Sequence, residues 1–242
     1  MSGADGGRSA LLAIDTATSR VVIALGGAPG GAADHRSGTP IAQASWVAGQ
    51  RHGETLLPAI DRLLGEGAER GADLAGIVVG TGPGTFTGLR VGLATAKGMA
   101  HGLGIPIVGI STAAALLADG AGAHEGSPGS FPDRAVILPA GPQDRVLVRD
   151  GVARLLPAGT EPELPPGTIL VAVDLDGRAP ADAVARGDIA LANLGRALLR
   201  LGAARLAAIG GDDLARLVPE YVTLPRGIRR EAGEVTWSHD RP

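Results

Sequence analysis

No cysteine occurs in this chain, which excludes disulfides, thiolate metal sites and a cysteine nucleophile. Aromatic residues are almost as scarce, at 2% of the sequence, so single-stranded nucleic acid would find few rings to stack on. An excess of positive charge is missing too. The 22 basic and 25 acidic residues leave a net charge of −3, whereas a chain that binds nucleic acid alone carries clustered Lys and Arg. The basic residues are almost all Arg and are dispersed, so an RNA substrate would take most of its contacts from another subunit. No run of 18 apolar residues suggests a membrane span, and no basic segment followed by an apolar stretch opens the sequence. A cytoplasmic protein with no membrane partner is expected.

What the chain has is aliphatic bulk and small residues. Hydrophobic residues make up 45% of its 242 positions, enough to bury roughly 70% of the unfolded surface in one domain or two small lobes. Leu11–Asp15, Arg20–Leu25 and Ala42–Val47 read as three strands of an antiparallel meander, with a Gly/Pro/Ala-rich loop from Gly26 to Pro40. Gly53–Leu64 reads as a helix, because Leu56, Leu57, Ile60, Leu63 and Leu64 recur at helical spacing. The apolar Ile77–Val79 reads as a central parallel strand, followed by a Gly-rich turn and a helix over Phe86–His101. Ile105–Ile110 and Thr112–Ala118 add a strand and a short helix. This order predicts an α/β fold with a mixed sheet and right-handed crossovers. Beyond a Gly/Pro/Ser-rich boundary at Gly120–Pro132, three strands are expected at Ala135–Leu138, Val146–Arg149 and Thr168–Val173. A helix over Ile189–Leu201 follows, making a smaller repeat of the first half. The tail after Pro225 reads as unstructured.

Two segments can carry chemistry. Asp15-Thr16-Ala17-Thr18-Ser19 ends a strand in a carboxylate and a hydroxyl-rich turn. Asp15, Thr16 and Thr18 can hold a metal–phosphate group, or build the turn by bonding their own backbone. Gly80-Thr-Gly-Pro-Gly84 joins a strand to a helix N-terminus, the arrangement that cradles phosphates. Gly82 and Gly84 would form that cradle. However, the third Gly of a dinucleotide fingerprint falls at Thr85, Lys97 lies a dozen residues too late for a Walker motif, and Pro83 removes an N–H. A tight strand-to-helix turn fits better. In the next helix Gly88, Gly92, Ala96 and Ala100 form one small-residue stripe, and Ala94, Gly98 and Gly102 a second. Such a helix packs on two sides, one of them a sheet and the other an intramolecular helix or a partner chain. No two of His35, His52, His101, His124 and His239 have metal-ligand spacing, His52 with Glu54 lacks a third ligand, and no nucleophile elbow appears.

Three segments together resemble the TsaB (YeaZ) family: Leu12–Ser19, His52-Gly-Glu-Thr-Leu-Leu-Pro58, and Gly80-Thr-Gly-Pro-Gly-Thr-Phe-Thr-Gly-Leu-Arg90 running on through Ala94–Gly98. Ile105–Ser111 completes a likeness over about residues 11–118, and Pro219–Arg226 is similar to the family's C-terminal signature. The resemblance implies an actin-like ATPase (ribonuclease H-like) fold with two lobes. These would be residues 11–118 and a smaller 133–202, with 203–225 packing back on the protein and flexible tails at 1–10 and 226–242. It also implies a non-catalytic scaffold or activating subunit in forming N6-threonylcarbamoyladenosine next to the anticodon of tRNAs reading codons that begin with A. The catalytic paralogue TsaD would be the heterodimer partner, a TsaE-like P-loop ATPase a third subunit, and a homodimer the state of the lone chain.

The same resemblance places the partner interface on the two N-terminal helices. Carried over, it falls on His52, Leu56, Leu57, Ile60, Arg90, Ala94, Thr95 and Gly98. No intrinsic cofactor is implied, ATP and a metal being expected in the partner subunits. Where the paralogue has two metal-binding His, this chain has Thr112 and Leu116. Where the family shows Asp-Ala-Arg, this chain has Pro139-Ala-Gly-Pro142, so any role of that segment does not carry over. Two rivals remain: a free-standing metallohydrolase or peptidase, and an actin-like small-molecule kinase, which would bind ATP by itself.

Overall fold

The computed structural model describes residues 9–28, 40–47, 49, 52–66, 74–119, 133–140, 143–222, 228–231 and 234–237. The expected loop at 120–132, most of that at 26–40, His35, His124 and His239 lie outside the described residues, as do 141–142 and 223–226 of the two family-like segments.

The first lobe runs β1 (Ala10–Asp15), β2 (Arg20–Gly27), β3 (Pro40–Val47), α1 (His52–Glu66), β4 (Leu74–Gly80), α2 (Phe86–Leu103), β5 (Ile107–Ile110) and α3 (Thr112–Asp119). Its five strands lie in the order β3-β2-β1-β4-β5, with β1 antiparallel to β2 and parallel to β4. Strand chemistry decides the order. Every residue of β1 is buried, which suits a centre covered on both faces, while β3 alternates half-buried and exposed residues and takes an edge. One face, with Leu12, Ile14, Ile23, Ile77 and Val79, packs on Leu56 and Ile60 of α1 and Leu93, Ala96 and Ala100 of α2. α2 stops at Gly104, whose left-handed backbone (φ 60°) lets Ile105 N–H reach Ala100 O.

The second lobe holds β6 (Arg134–Pro139), β7 (Arg145–Arg149), β8 (Val152–Leu156) and β9 (Ile169–Ala172), ordered β8-β7-β6-β9, then α4 (Ala181–Ile209). This repeats the first sheet's order without its fifth strand, giving two lobes of mixed sheet flanked by helices, as the actin-like resemblance implies. α4 joins them. Leu194, Ala197 and Leu198 share one core with Leu11, Val22 and Val78 of the first sheet and Val136, Leu138 and Val171 of the second.

Three sequence expectations change. β8 is an additional strand, paired with β7 across a two-residue turn at Asp150 and Gly151, both at positive φ. That is the backbone a right-twisted hairpin requires, and Asp-Gly supplies it. α4 extends well beyond 189–201 at both ends. Its Gly187 and Gly202 are contact points, not stops: a Cβ would overlap Ala172 O at the first and Val78 at the second. The tail expected to be unstructured contains a short antiparallel pair, β10 (Ile228–Glu231) and β11 (Glu234–Trp237).

After α4 the chain returns to the first lobe. Asp212 N–H donates to Ile107 O (2.7 Å) and its carboxylate accepts from Gly109 N–H (2.8 Å), covering the open edge of β5. Leu217 is buried against the same lobe, and Glu220 N–H donates to Thr81 O at 2.7 Å. No described helix is long and apolar enough to cross a membrane.

Candidate functional site

The residues expected to cradle a phosphate meet one another. Asp15 is fully buried at the end of β1. Its Oδ1 accepts from Ala17 N–H (2.9 Å) and its Oδ2 from the Thr112 hydroxyl (2.7 Å). Burial pushes its pKa up to about 6, against the pull of those two hydrogen bonds. Thr16, also buried, donates to Gly88 O at 2.6 Å, and Thr18 donates to Arg20 O at 3.1 Å.

The Gly-rich turn is spent in the same way. Gly82 (φ 107°) donates to Thr112 Oγ1 (3.1 Å), Thr81 N–H to Ile110 O (2.9 Å) and Thr85 N–H to Ala17 O (2.7 Å). Gly84 is glycine because a Cβ there would overlap Ala17 O. A phosphate needs outward-facing N–H groups at such a turn. These are taken up by Ile110 O, Thr112 Oγ1 and Ala17 O instead, so the residues do not fit a nucleotide phosphate held in the manner of a phosphate loop. The hairpin is also held from the second lobe. Ser19 N–H and Oγ each donate to the Asp174 carboxylate at 2.6 Å.

Thr112 and Leu116 occupy positions that the resemblance gives to metal-binding His. Thr112 bridges Asp15 and Gly82, and Leu116 is a core residue with no exposure. The sequence did not point to the roles of Thr112 and Asp174. Each makes contacts across 97 and 155 residues, and no local pattern encodes such a pairing.

The expected interface residues divide by face. Leu56 (0% exposed) and Ile60 (2%) point into the lobe's own core, which corrects their placement on a docking surface. Leu57 faces outward, 53% exposed. His52 is the first residue of α1. On α2 the stripe Gly88, Gly92, Ala96 and Ala100 is buried, with Gly88 and Gly92 pressed against Thr16. Ala94 and Gly98 of the second stripe are exposed and Thr95 is half-buried between them. Cβ atoms added at Gly98 and Gly102 would meet nothing within 4 Å. Arg90 is exposed near the start of the helix. Its guanidinium carbon lies 3.8 Å from the Phe86 ring centroid, and its Nε donates to the Tyr221 hydroxyl at 3.0 Å. Leu57 on α1 and the open stripe of α2 thus lie on the helical layer, away from the sheet.

Residues 46–170 match the family model described as TsaD: tRNA N6-adenosine threonylcarbamoyltransferase. An uncharacterized protein of Mycobacterium tuberculosis is 38% identical over 108 residues, 45% of this chain and 48% of that protein. The tRNA threonylcarbamoyladenosine biosynthesis protein TsaB of Bacillus subtilis is 36% identical over 110 residues, 46% of this chain and 44% of that protein. The chain therefore spans about half the length of the curated relatives it matches. Among solved structures, YeaZ from Pseudomonas aeruginosa superposes with a TM-score of 0.59 at 22% identity, covering 88% of this chain and 100% of that one. That likeness is one of fold.

Proposed function

This chain belongs to the TsaD family, on its TsaB branch, and on that premise we propose that it is a non-catalytic partner subunit in forming N6-threonylcarbamoyladenosine in tRNA. It pairs with a TsaD-like catalytic paralogue through the outward faces of α1 and α2, a TsaE-like P-loop ATPase joins the assembled pair, and tRNA is met only through the complex. Alone, the chain forms a homodimer through the same face. One observation carries the reading. α2 has two small-residue stripes: the sheet and the β1–β2 hairpin take one, and the other, Ala94, Gly98 and Gly102, is left with space around it. Backbones approach closely at such a stripe, and Leu57 and Arg90 flank it with the apolar and guanidinium groups common at interface cores.

The closed hairpin and turn support the non-catalytic part. The carboxylate, hydroxyls and N–H groups with which an actin-like kinase would hold a phosphate are engaged inside the protein. The partner gains by having one of its own conformations favoured through contacts that exist only in that conformation.

The test is size-exclusion chromatography with light scattering on this protein mixed with the TsaD-like protein of the same organism. A heterodimer that replaces the homodimer is expected. Gly98→Trp leaves the monomer folded, because its side chain enters open space, and prevents pairing. Unchanged elution of the two wild-type proteins would sink the proposal, and ATP binding by the lone chain would point to the kinase alternative.

A further inference from the structure

A cleft of about 560 Å3 opens beside the C-terminal segment, lined by no described residue of α1 or α2. Its floor is Thr81 and Ser111, the residues that immediately follow β4 and β5. The carboxyl ends of neighbouring parallel strands are where open α/β sheets take ligands, and the volume is that of a small-molecule site. Fixed polar groups line it. The Glu220 carboxylate sits beside Thr81 and Ser111, accepting from the Thr81 hydroxyl at 2.6 Å, while the Ser111 hydroxyl shares its one proton between Gly82 O (3.1 Å) and Glu220 Oε2 (3.3 Å).

One wall is locked by Arg205, whose guanidinium lies 2.6 Å from the Asp212 carboxylate while that carboxylate also accepts from Gly109 N–H. This pairing holds the Asp212 pKa below the usual carboxylate range. Arg216 enters the lining without such a mate. Among the described residues its guanidinium has no hydrogen-bond or ion-pair partner.

From this lining we infer that the cleft binds a small amphoteric anion, a molecule with at least one acidic group and at least one hydrogen-bond-donating ammonium or hydroxyl group. Arg216 takes the acidic group, since a free guanidinium forms charge-assisted, often bidentate bonds to phosphate or carboxylate. Glu220 takes the donor. Its Oε1 accepts the Thr81 hydroxyl and its Oε2 at most a shared Ser111 proton, so both oxygens keep a lone pair for a ligand. A ligand with the anion alone leaves Glu220 facing a like charge, and one with the donor alone leaves Arg216 unmatched, so the pair selects for both on one molecule.

Three probes separate these cases in titrations of the full chain followed by amide chemical shifts: O-phosphoserine, inorganic phosphate and ethanolamine. O-phosphoserine is expected to shift the amides of Thr81, Ser111 and Leu217 saturably, phosphate to bind more weakly, and ethanolamine not to bind. Arg216→Ala should weaken O-phosphoserine binding about tenfold, the loss of one charge-assisted contact, and Arg216→Lys should restore part of it. Among the described residues Arg216 has no partner to lose, so its replacement leaves the melting temperature unchanged. Phosphate binding as tightly as O-phosphoserine overturns the amphoteric assignment. No saturable shift with any probe, or binding indifferent to Arg216→Ala, overturns the site. Pairing with a TsaD-like protein is read in a separate assay, so either conclusion can fall without the other.

Discussion

Asp15 ends β1 with both carboxyl oxygens engaged and no exposure, and burial raises its pKa to about 6. The folded chain thus holds this proton more firmly than the unfolded one, whose value is the ordinary 3.8. The stabilisation is present in full below the unfolded value and is lost as pH rises through the folded one. Across that window the group costs up to about 3 kcal/mol. Asp15→Asn carries no titrating proton. Urea unfolding of both proteins from pH 4.5 to 7.5 should show the wild type losing ground to the variant as pH rises, with the change confined below about pH 7. A gap that stays constant across the range would show that Asp15 titrates normally. The strand end is recognisable in the sequence as apolar residues closing on Asp, but the carboxyl's partner is not, because Thr112 arrives from 97 residues away.

α2 tests at the scale of an element whether small residues mark contact or openness. Gly88→Ala places a methyl group onto Thr16 O and should destabilise the fold by more than about 2 kcal/mol. Gly98→Ala enters empty space in a helix interior and should stabilise it by about 0.5–1 kcal/mol. Denaturation midpoints of the two variants moving the same way would show that the faces are wrongly divided. The spacing in the sequence reveals both stripes but not which of them is inside. Leu56 and Leu57 present the same difficulty, being chemically identical neighbours of which only the first meets the sheet. Other elements were legible to different degrees. The apolar runs of β1, β2 and β4 are strong enough to read directly. The Asp150-Gly151 pair was a readable signal for the β7–β8 hairpin that a search for apolar runs passes over, because Val152–Leu156 carries an Arg and is mostly exposed. The ends of α4 are hard to read in the sequence, since nothing local shows that Gly187 and Gly202 lie inside the helix against the Ala172 backbone and Val78.

The whole molecule hangs on α4. Its Leu194, Ala197 and Leu198 stand in a single core with strands of both sheets, and the Ser19–Asp174 pair ties the second lobe to the β1–β2 hairpin at the other side of the junction. Lobes that share a helix core cannot open independently without exposing it, so the two should unfold together. Calorimetry is expected to show one transition whose calorimetric and van't Hoff enthalpies agree. Leu198→Ala, at a position with no exposure, should lower stability by about 2–5 kcal/mol. That loss should appear equally in the hydrogen-exchange protection of β1 and of β6, although the two strands belong to different sheets. Asp174→Ala, by contrast, removes two exposed hydrogen bonds and should cost about 1 kcal/mol while leaving the single transition intact. Two calorimetric peaks, or a Leu198→Ala effect confined to one sheet's amides, would mean that the lobes fold as separate units and that α4 belongs to only one of them.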